Sequence, residues 1–545
     1  MAELENTGED GGERRRLRAA TIMFSAATML SRVAGLIREI VTAAIFGASN
    51  TYSAFVIANQ IPNLLRSLVA DSALSAAFVP VFTELDENGE RDRAWRVAGA
   101  VCGIIIAVLG PLTVIAMIAA PHIVGPFLDD NFTAAQIDLT VQLARLLMPI
   151  VLILALSGVV VGILNTHNRF GAAALAPVFW NAVILLSLVG AITFSDNARH
   201  QIWIYAAGTV AGTLVQAVLP VPWLRGLGGH IRLRVSWRDP KVREVFVLML
   251  PVTLSLGLIN VQQFISALLA AKVDANTGAW LAGLDAGAGP ALLDKAFRIY
   301  MLPQGIFSVA VTTVVFPTLA RMVTRGDRKG FAETVDSGLR QILMLLVPSS
   351  IFLGALAVPV TRLLYQRGAF DAHQTNAVAL VLVAFAIGLT FNGLTLLLIR
   401  SLFSLRLTWL PTIVSVVTLA VNLVVALASY HAFGVLGIAL ATSIANIVGV
   451  LLLYRFLAAR TEPLGTRRTL VVAAGTILSG AVGVGVASAA FYLTWEPFAG
   501  TGFFATLAGV SAALAVAAPI YLSLGARLGV VRRGLLRGLV RRGKR

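Results

Sequence analysis

The sequence predicts an all-α polytopic membrane protein with about fourteen transmembrane helices. Three observations predict it. Of 545 residues, 57% are hydrophobic and only 13% charged, and the mean hydropathy is +0.84; a soluble chain of this length needs more charge to cover its surface. Apolar runs of about 20 residues, the length that crosses a bilayer, recur from end to end. Basic residues gather in alternate loops between those runs, as they do on the cytoplasmic side of membrane proteins.

The elements follow in order. A tail at 1–19 carries Arg14, Arg15, Arg16 and Arg18. The apolar run behind it is too long for a cleavable signal and has no small-residue cleavage site, so 20–47 reads as a retained first helix. Spans at 51–83, 97–120, 138–165, 172–194 and 203–224 complete a six-helix N-lobe over 20–224. A basic linker follows at 225–244. Spans at 245–271, 291–320, 336–360, 375–402, 409–430 and 436–458 make a C-lobe over 245–458. Two further helices, 469–492 and 502–525, occupy 459–525, and a basic tail closes the chain at 526–545.

Loops holding Arg91, Arg93 and Arg96, Arg225 to Arg243, and Arg321 to Lys329 fall on one side; Arg199, Lys272, Arg362 and Arg367 fall on the other. This alternation places both termini in the cytoplasm of a bacterial inner membrane, which requires an even number of spans. The six-plus-six division rests on an internal repeat. Ile61-Pro62-Asn63 followed by Pro80 is echoed by Leu302-Pro303-Gln304 followed by Pro317, about 240 residues later. Transporters are often built from such repeats, with the substrate path between the halves.

The formal charge of +16 invites a nucleic-acid reading, but its placement in short loops between spans argues against one. Cys102 is the single cysteine, so no intrachain disulfide forms. The six histidines are scattered without metal-ligand spacing, and no phosphate loop, nucleophile elbow or catalytic carboxylate pair is present. These absences predict a transporter with no metal or cofactor rather than an enzyme.

The chemistry lies in charged residues inside apolar runs: Arg32, Arg38, Glu39, Arg66, Asp71, Asp294, Lys295, Arg298 and Arg400. Each costs at least about 2.5 kcal/mol at mid-bilayer, so the set should face the bundle interior or a wet cavity. Arg32 and Glu39, seven residues apart, share a helix face, and Arg38 points elsewhere unless the helix bends. Several arginines around one cavity suit a diphosphate, since the guanidinium fork gives two parallel charge-assisted bonds. Any one of them, taken alone, could snorkel to an interface or neutralise an acid; Arg400, near a helix end, fits snorkelling better. Asn59, Gln60 and Asn63 near Pro62 suit interhelical hydrogen bonding. So do Asn260, Gln262, Gln263, Asn422, Thr442 and Asn446, which have no acid among them for a cation.

Ser31-Arg32-Val33-Ala34-Gly35-Leu36-Ile37-Arg38-Glu39 resembles the first-helix motif of the MurJ/MviN family, the lipid II flippases. Ile61-Pro62-Asn63-Leu64-Leu65-Arg66, continuing through Asp71 to Pro80, resembles its second-helix signature. Gly162 to Asn165 with Arg169-Phe170 and Ala174 to Val178, then Arg367-Gly368-Ala369-Phe370 and Arg400-Ser401-Leu402-Phe403, match further landmarks in order.

The resemblance implies two six-helix lobes forming a V around a cationic cavity, with two extra C-terminal helices making a lipid groove. It implies a substrate of undecaprenyl-diphosphate-linked disaccharide-pentapeptide, contact with membrane lipids, and cell-wall synthesis or division proteins as potential partners. The family's essential arginines fall on Arg32, Arg38, Arg66 and Arg298, with Glu39 as the acidic partner and Asp71 as a gating or charge partner. Ser53 and Ser67 stand where relatives often carry Asp and Arg. Sodium-binding members use acids in the seventh and eleventh helices, and none stands there. Other readings left open are a flippase or exporter for another lipid-linked oligosaccharide or a drug, and a nontransporting scaffold for wall synthesis.

Overall fold

A computed structural model describes residues 26–67, 71–128, 131–167, 169–273, 284–407, 409–496 and 502–530, and every described element is helix, turn or irregular chain. The two predicted basic tails fall almost wholly outside these residues. Helix α1 covers 26–46. It is followed by α2 (Asn50–Ser67), α3 (Asp71–Glu87), α4 (Arg91–Leu128), α5 (Ala134–Leu147), α6 (Pro149–Thr166), α7 (Phe170–Phe194) and α8 (Ala198–Val218). After the linker come α9 (Pro240–Ala271), α10 (Gly289–Pro303), α11 (Val309–Thr324), α12 (Arg328–Ala355), α13 (Ala357–Tyr365) and α14 (Ala372–Ser404). The chain continues through α15 (Trp409–Phe433), α16 (Val435–Ala458), α17 (Thr466–Ala490) and α18 (Phe503–Arg527).

Local chemistry sets these limits. Thr133 and Gln136 form a reciprocal capping box at the start of α5. Pro149 opens α6 at a position where its missing N–H costs nothing, so one predicted span becomes two consecutive helices. Asp327 and Asp371 accept from backbone N–H groups at the starts of α12 and α14.

Eleven helical stretches among the described residues are long and apolar enough to cross a membrane. The sequence-predicted spans 20–47, 51–83 and 245–271 fall on helix in their described residues but do not meet that measure. Arg32, Arg38 and Glu39 interrupt the first, and residues 68–70 of the second lie outside the described chain. The third lies on α9, where side chains at 251–252 and 255–256 lie outside the described part and leave Gly257–Ala271 as the stretch that is counted.

The chain divides into two compact units. The first holds the residues up to Phe46 and Thr51–Phe264; the second holds Gly47–Asn50 and the chain from Ile265 onward. The division falls inside α9. In the first unit, Phe78, Phe82, Trp95, Val101, Ile163 and Leu164 build the core where α3, α4 and α6 meet. In the second unit α14 is central and packs against α10, α12 and α16. The last two helices pack on each other and lie on α12. They are fastened there by polar contacts: buried Asp336 accepts the Gly465 N–H before α17, and Tyr521 Oη donates to Met344 O at 2.7 Å.

Both sequence repeats fall on helix. Pro62 lies in α2 and Pro80 in α3; Pro303 ends α10, a π turn occupies Gln304–Ser308, and Pro317 lies in α11.

The linker is not a loose connection. Its irregular backbone lies on α4, where Arg234 N–H donates to Gly99 O at 3.3 Å. A Cβ on Gly99 would sit 2.0 Å from Arg232 O, and one on Gly103 would sit 2.1 Å from Arg234 O. Only glycine admits so close an approach of two backbones.

Candidate functional site

In the first unit the site is built on α1 and α7. Arg38 and Glu39 are 8% and 6% exposed, so both charges are removed from solvent and must be satisfied locally. Arg38 donates to Glu39 Oε1 at 2.9 Å through Nη2 and to Asn181 Oδ1 at 3.2 Å through Nη1. Its guanidinium carbon stands 4.6 Å from the centre of the Trp180 ring. Arg38 Nε, also buried, has no hydrogen-bond partner. Asn181 is fixed in turn, donating to Pro177 O at 2.9 Å and Ser31 O at 3.3 Å. Trp180 Nε1 donates to Thr213 Oγ1 on α8 at 3.2 Å. The guanidinium is thus oriented by an acid, an amide and an aromatic face, a cradle that presents a planar cation rather than a mobile point charge.

Arg32 is exposed on the protein surface while Glu39 is buried. Glu39 pairs with Arg38, the residue that ideal helix spacing turned away from it; Asn181 draws the Arg38 side chain to that side. Arg66 is half-buried in the last turn of α2. It forms no hydrogen bond or ion pair with the described residues, and neither do Asn59, Gln60 or Asn63. Asp71 is the first residue of α3, and its side chain lies outside the described part.

In the second unit, Arg298 pairs with Asp294 one turn earlier on α10, with Nε and Nη2 both 3.2 Å from Oδ1. Its side chain is 42% exposed and that of Asp294 only 10%, so the pair turns its cation outward. Lys295 is wholly buried, with Nζ 5.5 Å from the centre of the Tyr365 ring. The half-buried Arg400 lies over the Phe316 ring at 5.6 Å. Asn422 donates to Thr442 Oγ1 at 3.2 Å and Asn446 to Tyr300 Oη at 3.3 Å, which is helix-to-helix packing. Among the described residues no group of three or more His, Cys, Asp or Glu could hold a metal.

The sequence reading missed Trp180 and Asn181. A signal existed, since an asparagine inside an otherwise apolar run needs a partner in lipid. We expect Asn181→Ala to lower transport about tenfold without loss of protein. Losing one hydrogen bond to a charged group costs about 1.5–3 kcal/mol, and Glu39 still neutralises Arg38. Unchanged transport by the purified variant in vesicles would show that Asn181 does not orient the cation.

Residues 42–509 match the family described as "Lipid II flippase MurJ". A "Probable lipid II flippase MurJ" of Rhizobium meliloti is 31% identical over 520 residues, covering 94% of this chain and 95% of that one. One of Vibrio cholerae serotype O1 is 30% identical over 501 residues, 88% and 91% of the two chains. The solved structure "Lipid II flippase MurJ, inward closed conformation" superposes with a TM-score of 0.75 at 24% identity, covering 93% of this chain and 99% of that one. An inward-facing multidrug resistance MATE family transporter superposes with a TM-score of 0.64 at 14% identity over 80% and 98%. Both are likenesses of fold.

Proposed function

The chain belongs to the lipid II flippase MurJ family, and on that premise we propose that it moves undecaprenyl-diphosphate-linked peptidoglycan precursor from the inner to the outer leaflet of the bacterial cytoplasmic membrane. It is a multi-pass membrane transporter, not an enzyme. The observation that carries the substrate reading is the cradled guanidinium of Arg38, held by Glu39, Asn181 and Trp180 inside a helix bundle. Drug transporters share the fold, and fold alone does not choose a cargo. A fixed planar cation suits an anionic diphosphate and disfavours cationic drugs.

In this reading the lobes at 20–224 and 245–458 alternate access, and Arg32, Arg38, Arg66 and Arg298 meet the diphosphate during the cycle. Glu39 tunes the second of them, and Asp71 serves as a gating or charge partner. The polyprenyl tail stays in lipid, alongside the helices of 459–525. A cavity of about 680 Å³ there, lined by Leu343, Val347, Phe391, Leu451 and Ile477 among others, offers an apolar surface for it.

Depleting the chain in a host that has no other lipid II flippase, while measuring which leaflet holds lipid II, tests the function. Accumulation in the inner leaflet is expected, and an unchanged distribution refutes the reading. We also place both termini and the loops at 84–96 and 225–243 in the cytoplasm, from the charge alternation. A Glu90→Cys, Cys102→Ala chain should resist an impermeant thiol reagent in intact cells and react after permeabilisation. Reaction in intact cells would invert the topology.

A further inference from the structure

The segment from Val221 to Asp239 is held at many points. Arg169 Nη1 donates to Trp223 O at 2.6 Å and Arg225 O at 3.0 Å. Gly229 sits against the Trp95 indole, Leu227 is buried, and Leu224 and Ile231 pack on the core of the first unit. At its end Asp239 accepts from Arg93 and from the Lys241 N–H. Burial alone would raise the Asp239 carboxyl, but the Arg93 and Lys241 hydrogen bonds outweigh it and hold the group below the usual carboxylate range. The segment is a strap fixed along its length.

Its outer face is mixed in a particular way. Arg225, Arg232, Arg234 and Arg238 are exposed, and the only acid, Asp239, is taken by Arg93. Between them Trp223, Leu233, Val235 and Trp237 are 44%, 61%, 65% and 53% exposed. Arginine and apolar side chains alternate over 232–235 and all four are exposed, so cation and hydrocarbon are offered side by side.

The depth of this face follows from α4. Arg96 is the last charge before that helix becomes apolar, and the strap crosses at Gly99 and Gly103, about 5 and 10 Å further along the axis. That is the level of lipid headgroups, where indoles and aliphatic groups find hydrocarbon and arginines find phosphate.

We infer that the strap from Trp223 to Arg238 is a docking surface for anionic glycerophospholipids, whose phosphates are gripped by its arginines while Trp237, Leu233 and Val235 enter the interfacial layer. Charge complementarity favours an anionic lipid over a zwitterionic one. A basic orientation signal alone would require neither the fixed backbone nor the exposed apolar side chains. The site belongs to resident lipid and lies apart from Arg38.

The test uses the full chain with Cys102→Ala and Val235→Cys, carrying bimane at position 235, in vesicles of phosphatidylcholine. One set contains brominated phosphatidylglycerol, the other an equal fraction of brominated phosphatidylcholine. Phosphatidylglycerol should quench several-fold more, and the excess should shrink as salt is added. Arg232→Gln and Arg234→Gln should each lower the preference about fivefold. Equal quenching by the two lipids, or a preference that survives both substitutions, overturns the inference. Absence of quenching by either lipid also overturns it, because the strap then faces water or a protein. The first comparison needs no arginine substitution, so it stands whether or not those variants fold.

Discussion

Arg298→Ala is expected to abolish growth when this chain is the sole lipid II flippase of its host, with the protein still reaching the membrane. Arg298 is exposed on its helix, but Asp294 is only 10% exposed and loses this partner, so Arg298→Ala, Asp294→Asn is the companion variant that separates lost transport from lost protein. Arg38→Ala is also expected to abolish growth, for two reasons that must be separated. It removes a cation from the cradle and strands the Glu39 carboxylate, which is 6% exposed. A buried charge left without its partner costs about 3–5 kcal/mol. The double variant Arg38→Ala, Glu39→Gln removes that cost and should restore protein level without restoring growth. Lysine at either position should rescue in part, since it supplies charge without the fork. Immunoblots beside the growth assay decide the matter: full growth with alanine at both positions, at normal protein level, removes the arginines from the mechanism.

Membrane potential is expected to dominate the energetics. A diphosphate carries two negative charges outward, and each gains about 2.3 kcal/mol per 100 mV when the interior is negative. Together that is about 4.6 kcal/mol, roughly three orders of magnitude in the leaflet ratio at 100 mV. In proteoliposomes, a potassium diffusion potential set by valinomycin should shift labelled lipid II strongly, and a sodium gradient at zero potential should shift it little. The predicted seventh, eleventh and twelfth spans carry no acid to pair with sodium. Strict dependence on the sodium gradient with indifference to potential would overturn this.

The helical architecture was legible in the sequence because lipid leaves the backbone few alternatives: each apolar run must satisfy its own hydrogen bonds. In their described residues the predicted spans fall on helix. Among the described residues eleven of the fourteen also pass on length and apolarity. The Arg38–Glu39 pair was implied by the family resemblance alone, since helix spacing turned Arg38 away from Glu39. Its third and fourth members could not be read, because Asn181 lies 143 residues from Arg38, and helix periodicity gives a facing direction without naming the neighbour. The linker was read only as charge. Its seat on α4 depends on Gly99 and Gly103, two small residues one turn apart whose meaning appears only when a second backbone lies across them.

The π turn at Gln304–Ser308 has a consequence for the phase of the chain. A π turn holds one residue more than the α-helix around it, so everything after Ser308 is rotated by about 100° from where an unbroken helix would put it. Removing any single residue from this stretch therefore acts on all of α11 at once, turning Val311, Val315 and Leu319 out of the packing they now share without changing any of their side chains. A lineage that gained or lost one residue here would change which face of the helix meets the bundle. Ordinary substitution would need many coordinated replacements to reach the same result.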